Sequence, residues 1–174
     1  MGIEEQPKSE RKAKERSGRH AARVAAVQAT YQVDATGVPA NRVLSEFVQH
    51  RLPSPEAQST YAGADEGFFA ELVRGVAKEK PVLDEAIEAS LAKGWSIGRI
   101  DSVLRAILRC GAFEVMCRLD IPPKASISEY VEVTRGFFEG DEPGFVNAVL
   151  DAMARKARAT EMGNGSGAEA AGSG

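Results

Sequence analysis

Apolar residues recur at three- and four-residue intervals through most of the chain, the spacing at which side chains share one face of an α-helix. The strongest stripe comprises Ile100, Leu104, Ile107, Leu108, Gly111 and Val115. A second stripe comprises His20, Val24, Val27 and Tyr31. No stretch shows convincing alternation with the period of two that a half-buried β-strand needs. The pattern predicts an all-α bundle of about six to seven helices.

Turn and capping residues predict the helix boundaries in the first half of the chain. A first helix is predicted over residues 19–35, ending near Gly37. Asn41 is expected to cap a second helix, and Asp65 a third. Pro81 suits the first turn of a separate fourth helix, because a proline there gives up no helical hydrogen bond.

The second half of the chain has its own boundary signals. Ser96 is expected to start the central helix. Ser126 and Glu129 have the spacing of a capping box at the start of the next helix. A final helix is predicted over residues 143–159, with Phe145 in the core and Arg158 facing water.

Charge and composition divide the chain into three parts. Residues 1–18 are expected to form a disordered basic arm, residues 19–159 the helical domain, and residues 160–174 a disordered tail rich in Gly, Ser and Ala. Residues 8–23 hold seven Lys or Arg against two Glu, a local charge of +5, whereas the whole chain carries −3. A basic arm for a polyanion and a solvated tail without a ligand both fit this charge.

The sequence lacks the features expected of membrane proteins, secreted proteins, metalloproteins and enzymes. No apolar run reaches the roughly 18 to 20 residues of a membrane helix, and the first residues do not resemble a secretory signal, so a cytoplasmic protein is expected. Cys110 and Cys117 lie about 10 Å apart on one predicted helix, beyond the reach of a disulfide. The only histidines are His20 and His50. With no catalytic triad, metal cluster or phosphate-binding loop, no enzyme, metal or cofactor is expected.

The residues that the pattern leaves without a structural role are basic or aromatic. Arg19 and Arg23 are expected to share one exposed helix face, and Arg105 and Arg109 another. Lys124 lies near a loop. Cations neutralise phosphates, and aromatic rings stack on unpaired bases, so a basic arm leading to Tyr31 suits single-stranded RNA. The alternative is that Tyr31, Phe137 and Phe138 are core residues.

Four segments resemble the NusB family. RHAARVAAVQATYQVD is similar to the family's first helix, FFAELVRGV to its third, and IDSVLRAILRCGAFEVM to its central helix. ISEYVEVTRGFFEGDEPGFVNAVLD is similar to the family's Ile-Asn-Glu, acidic loop and Phe-Val-Asn-Gly-Val-Leu-Asp pattern. The resemblance spans residues 19–155 and implies two helical sub-bundles. It also implies a transcription antitermination factor that binds boxA-type single-stranded RNA with the ribosomal protein NusE. Such a pair works with the RNA polymerase elongation complex and other Nus factors, notably in ribosomal RNA operons.

The resemblance also assigns sites. RNA-binding residues are expected on the first helix and around the next-to-last helix; they are Arg19, His20, Arg23, Tyr31, Lys124, Phe137 and Asp141. Residues Leu104, Arg105 and Arg109 of the central helix are expected on the side that contacts the NusE-like partner. A homodimer through the RNA-binding side is left open.

Three positions depart from the family pattern. Ser128 stands in place of Asn, and Ala148 in place of Gly. Leu104 stands where other members often have an acidic residue, which changes one expected partner contact.

Two further functions also fit the sequence. One is a separate RNA-targeting domain related to the N-terminal part of RNA cytosine methyltransferases. The other is a helical protein–protein adaptor that does not bind RNA, whose apolar interface would survive high salt.

Overall fold

The computed structural model describes residues 7–54 and 58–163, and it is helical almost throughout. Its α-helices are α1 (Lys8–Thr36), α2 (Ala40–Glu46), α3 (Gln58–Tyr61), α4 (Glu66–Ala89), α5 (Ser102–Cys117), α6 (Pro123–Phe137) and α7 (Glu142–Ala157). A π-helical turn (Phe47–Arg51) follows α2, and a 3-10 turn (Ile97–Arg99) precedes α5. These residues contain no β-strand, so the all-α prediction is confirmed. The chain divides into two compact units, Met1–Arg74 and Gly75–Gly174.

Helix α1 begins earlier than predicted, at Lys8 instead of residue 19. Lys, Arg, Glu and Ala fill residues 8–16 apart from one Ser, and these four residue types form helices readily. Residues 8–17 are all exposed, so intrinsic propensity and not burial carries the helix here. The structure thus differs from the expected disordered arm over residues 8–18, while residues 1–6 lie outside the described chain. Helix α1 ends as predicted at Gly37, whose φ of 71° favours glycine.

The core of the first unit combines small residues on α1 with an aromatic cluster. Residues Ala22, Ala25, Ala26 and Ala29 of α1 are fully buried. The Phe47 ring stacks on Phe69 with centroids 5.6 Å apart and lies 6.4 Å from Tyr61. Alanines let the α1 backbone pack closely on α2 and α3, which explains why an apolar stripe of small residues is sufficient here.

The connection into α4 is fixed by Gly18 and Asp65. The Asp65 amide donates to the Gly18 carbonyl at 3.0 Å. A side-chain oxygen of Asp65 accepts from the Phe68 amide at 3.0 Å, which confirms the predicted cap. A Cβ atom at Gly18 would lie 2.8 Å from the Gly63 carbonyl oxygen, so only glycine fits this contact.

Helix α4 corrects the prediction of separate third and fourth helices, because it runs through Pro81 without a break. An interior proline removes one helical hydrogen bond and crowds the preceding turn, at a cost of about 3 kcal/mol. Apolar side chains on both sides of Pro81, such as Val76 and Leu83, are buried. We attribute the continuity of the helix to this burial.

Two predicted start signals in the second unit are wrong. Ser96 precedes the 3-10 turn, whereas α5 is capped by Asp101, whose carboxylate accepts from the amides of Val103 at 2.9 Å and Leu104 at 3.2 Å. Helix α6 begins at Pro123, so Ser126 lies inside the helix and not at its cap. The Ser126 hydroxyl is buried and donates to the Glu114 carboxylate at 3.1 Å.

Helices α5, α6 and α7 pack on one another to form the second unit's core. Gly111 permits close contact, since a Cβ atom there would lie 2.7 Å from a Leu150 methyl group. Leu150 and Tyr130 are fully buried against this point. The glycine in the apolar stripe of α5 therefore marks a close approach between helices.

The end of α7 is anchored by Arg158, which is 6% exposed and not, as predicted, turned to water. Its guanidinium donates to the carbonyls of Ile121 at 2.8 Å and Leu119 at 3.1 Å. Arg158 also bonds Glu161, and this hydrogen bond lowers the pKa of the Glu161 carboxyl. Met162 is buried as well, so packing continues beyond the expected boundary at residue 159. Residues 164–174 lie outside the described chain.

Candidate nucleic-acid and partner interfaces

Arg19 and Arg23 of α1 both lie over the aromatic ring of Phe68. The guanidinium carbons of Arg19 and Arg23 lie 5.4 and 5.1 Å from the Phe68 ring centroid, within the range of cation–π contacts. Arg23 is 3% exposed, which corrects the expectation that both arginines are exposed. Arg19 is half-buried and remains accessible to an anion from solvent. The charge of Arg23 is therefore buried, whereas that of Arg19 can contact an anion at the surface.

His20 and Tyr31 lie on one flank of the same helix. Eleven residues correspond to three turns, so their side chains share a face about 16 Å apart along the axis. His20 is half-buried, whereas Tyr31 is 40% exposed. The exposed ring excludes the alternative that Tyr31 is a core residue. An exposed aromatic ring is the kind of side chain on which an unpaired base can stack.

The predicted RNA-binding residues of the second unit do not all lie together. Lys124 is exposed in the first turn of α6, whereas Phe137 is its last residue, about 20 Å away along the axis. Asp141 is exposed at the start of α7, four residues beyond Phe137. Phe137 and Phe138 are both half-buried and so not core residues in the strict sense. Phe137 and Asp141 thus lie close together along the chain, whereas Lys124 lies at the other end of α6.

A groove of about 520 Å³ opens on the second unit beside Asp141. Its apolar lining includes Trp95, Leu104, Phe138 and Phe145. The Trp95 and Phe145 rings are 6.4 Å apart, and Trp95 is 55% exposed. A large exposed aromatic beside an apolar groove is typical of a protein-binding surface.

The polar residues of the groove are mostly acidic. Three carboxylates, those of Asp101, Asp141 and Glu142, line it with a single guanidinium, that of Arg99. One oxygen of Glu142 is buried and accepts no hydrogen bond within the described residues. An acidic groove repels phosphate and favours an occupant with cationic or hydrogen-donating groups beside an apolar anchor.

The expected partner-binding residues of α5 differ in accessibility. Leu104 lines the groove although only 7% of it is exposed. Arg105 is half-buried, and its guanidinium donates to the carbonyl of Ile100 at 3.3 Å. Arg109 is 5% exposed and forms a bidentate ion pair with Asp84, at 2.7 and 3.0 Å. The prediction that these arginines are exposed without a structural role is therefore wrong.

Sequence reasoning missed Trp95 and misplaced Phe145. Trp95 follows Gly94, whose φ of 91° marks a turn, and a tryptophan at an exposed turn was an available signal. Phe145 was assigned to the core because it fits the α7 stripe, but it is half-buried and contributes to the groove.

Residues 7–54 and 58–163 contain neither a candidate metal site nor a candidate membrane span. Over these ranges, no three His, Cys, Asp or Glu side chains are grouped so that they could hold a metal ion. Nor does any helix there combine the length and apolar character needed to span a membrane. Cys110 is buried, Cys117 is exposed, and both are free thiols.

Comparison with known proteins identifies the family. The model of the NusB family matches residues 20–155. The chain belongs to the NusB family. Among its relatives, the transcription antitermination protein NusB of Rhodopseudomonas palustris (strain BisB18) is 46% identical over 91% of this chain and 92% of its own length. That of Caulobacter vibrioides is 48% identical over 80% of this chain and 94% of its own.

A solved structure shows the same fold. A chain in the crystal structure of antitermination factors NusB and NusE in complex with dsRNA superposes with a TM-score of 0.67 at 23% identity. The match covers 80% of this chain and 98% of that one. Two of the family departures, Ser128 and Ala148, are exposed on α6 and α7. They are accessible to a ligand and do not disturb the core.

Proposed function

We propose that this chain is a transcription antitermination factor that binds boxA-type single-stranded RNA together with NusE. It promotes read-through by RNA polymerase, notably in ribosomal RNA operons, with other Nus factors in the elongation complex. It acts in the cytoplasm, where nascent RNA is made, and it is not an enzyme. The observation that carries the proposal is the match to the NusB family over residues 20–155.

The proposed RNA face lies on α1. Arg19 supplies an accessible cation, His20 a second polar group, and Tyr31 a ring on which a base can stack. Arg23 acts from beneath Arg19, where it adds positive potential and orients Phe68. Phosphate contacts of this kind make affinity depend steeply on salt.

The second unit adds Phe137 and Asp141 to this proposal. A carboxylate repels phosphate, so Asp141 contributes by accepting from a base N–H and thereby selects bases without adding affinity. Lys124, at the other end of α6, serves as a separate phosphate contact. Lys124 and Asp141 therefore differ in role. Removing the Lys124 cation should change the salt dependence of RNA affinity, whereas removing the Asp141 carboxylate should not.

The groove lined by Trp95 and Leu104 is the proposed site for NusE. Its aromatic lining offers an anchor, and the carboxylates of Asp101 and Glu142, the two not assigned to RNA, suit a basic ribosomal protein. Leu104 replaces an acidic contact with an apolar one at the groove wall. Arg105 and Arg109 act indirectly, since their hydrogen bonds hold the 3-10 turn and α5 in place.

Fluorescence anisotropy of a labelled boxA-like RNA tests the RNA contact, with a scrambled RNA and a double-stranded RNA as comparisons. Tyr31→Ala should weaken boxA binding by about 5- to 150-fold, because a stacked base contributes about 1–3 kcal/mol. Tyr31→Phe keeps the ring and should bind like the parent chain. Equal binding of boxA and scrambled RNA, with and without NusE, would contradict the proposal.

The partner contact has an intrinsic reporter, since Trp95 is the chain's one tryptophan. NusE binding in the groove should protect the Trp95 indole from acrylamide quenching. Calorimetric titration of Trp95→Ala should show weaker NusE binding, whereas Leu119→Ala, at a residue 69% exposed outside the groove, should not. Unchanged quenching at saturating NusE would place the partner elsewhere.

A further inference from the structure

Ten residues of α1, 8–17, form an exposed helical segment that we call the α1 extension. It carries five Lys or Arg and two Glu, a net charge of 5 − 2 = +3. The proposed RNA face begins at Arg19 and the family model at residue 20, so neither includes this segment. Its charge and exposure therefore require a separate explanation.

The cations of the extension are not spread evenly around the helix. Lys8, Lys12 and Arg16 follow one another at four-residue intervals, within a sector of about 80° at 3.6 residues per turn. Arg19, eleven residues after Lys8, falls inside the same sector. These four residues form one basic stripe about 16 Å long. The stripe ends at Arg19, over the Phe68 ring, and is thus continuous with the proposed RNA face.

Neighbouring charges distinguish the stripe from the rest of the extension. Arg11 has Glu15 four residues later, and Lys14 has Glu10 four residues earlier, which are favourable helical spacings. Lys12 instead has cations on both sides at that spacing, Lys8 and Arg16. Its one acidic neighbour at helical spacing is Glu15, which is shared with Arg11 and Arg19. Like charges four residues apart destabilise a helix by a few tenths of a kcal/mol each. A polyanion along the stripe would relieve this repulsion.

We propose that the basic stripe binds backbone phosphates of the RNA that flanks the boxA-type sequence. The occupant is RNA because the stripe is continuous with the RNA face, and phosphate complements its charge. Binding is independent of sequence, since Lys and Arg on an exposed helix face contact phosphates without reading bases. The inference rests on the proposed RNA-binding function and extends its footprint toward the N-terminus.

The chain offers a closely matched pair of variants. Lys12→Ala with Arg16→Ala removes one Lys and one Arg from the stripe. Arg11→Ala with Lys14→Ala removes the same residue types from the other faces of the extension, so net charge and helix propensity change alike. Both doubles are compared with the parent full-length chain on a core boxA RNA and on the same RNA lengthened at either end.

On the lengthened RNA, the stripe double should bind more weakly than the control double, and its salt dependence should be shallower. Loss of two phosphate contacts changes the slope of log K against log salt by about 1.4 for single strands. The affinity advantage of the parent chain over the stripe double should therefore shrink about sevenfold between roughly 50 and 200 mM salt. On the core RNA, all three proteins should bind alike.

Equal losses in both doubles would show general attraction and overturn the stripe proposal, as would no loss in either. A stripe double that weakens binding of an acidic protein but not of lengthened RNA would assign the stripe to that other partner. Absence of RNA binding by the parent chain would instead refute the proposed function itself, so the two failures are distinguishable.

Discussion

The ion pair between Arg109 and Asp84 allows a sharp test of why the central helix carries this arginine. Two charge-assisted hydrogen bonds join the residues, at 2.7 and 3.0 Å. The Arg109 side chain is 6% exposed and that of Asp84 is 24% exposed. Breaking a buried pair by removing one partner costs about 3–5 kcal/mol. Since water can reach Asp84, we expect Arg109→Ala to lower the free energy of unfolding by about 2–3 kcal/mol.

Urea denaturation of the two single variants and of the double variant measures this contribution. Asp84→Ala should cost about 3–4 kcal/mol, more than Arg109→Ala, because it leaves a charge in the more buried position. The double variant should lose less than the sum, with a coupling energy of about 2 kcal/mol. Arg109→Lys keeps the charge but not the planar fork, so an intermediate loss is expected.

A coupling energy near zero would refute this reasoning, as would an Arg109→Ala variant as stable as the parent chain. NusE titration separates the structural role from a direct contact. If Arg109 acts by holding α5, both single variants should weaken NusE binding to a similar extent. Loss with Arg109→Ala but not with Asp84→Ala would show that the guanidinium itself contacts the partner.

Further predictions concern stability and reactivity. Gly18→Ala should destabilise the chain by about 1–3 kcal/mol, because the added Cβ would press on a backbone carbonyl oxygen. Gly136→Ala, which has open space around the added Cβ, should stabilise the chain by up to about 1 kcal/mol. Burial, with a smaller effect of Glu79, raises the pKa of the Cys117 thiol, so it should react slowly with thiol reagents at pH 8, and Glu79→Gln should accelerate it. The pKa of Glu161 is lowered, so its carboxylate stabilises the fold above the ordinary value of 4.5, and this stabilisation is lost as pH falls through the lowered pKa. Glu161→Gln should thus differ from the parent in thermal unfolding at pH 7 and match it in strong acid.

Contrary results would be equally clear. An Ala at residue 18 that unfolds at the parent's urea midpoint would show that the backbone shifts freely. A Cys117 that reacts as fast as a small-molecule thiol would contradict the raised pKa. A gap between the Glu161 variant and the parent that is unchanged across the pH range would assign the effect to packing.

Sequence reasoning predicted what local patterns determine. The fold class and the interior of each long helix follow from apolar spacing, and the Asp65 cap and the Gly37 end follow from local hydrogen bonding and backbone freedom. The failures involve competition between local signals and packing. Pro81 is a strong helix-start signal, yet burial on both sides of it favours a continuous helix. Ser126 has cap spacing, but a hydrogen bond to Glu114 holds it within α6.

The candidate site was less accessible to such reasoning. The sequence identified Arg19, Tyr31 and Leu104 through the family resemblance, but helical spacing alone cannot show which polar residues are covered. Arg109 is buried because Asp84, 25 residues away in the chain, neutralises it. Trp95 was missed because it belongs to no stripe, and only the packing around the groove places it beside Phe145.

Helix α4 has a consequence for how the chain unfolds. The boundary between the compact units falls within it, after Arg74, so nine helical residues belong to one unit and fifteen to the other. Helices of about 12 to 15 residues or fewer are marginal without packing. If the core of one unit unfolds, the α4 residues that belong to that unit should fray. Their fraying removes helical stabilisation from the α4 residues that belong to the other unit. Continuity of this one helix therefore favours unfolding of the whole domain as a single cooperative transition.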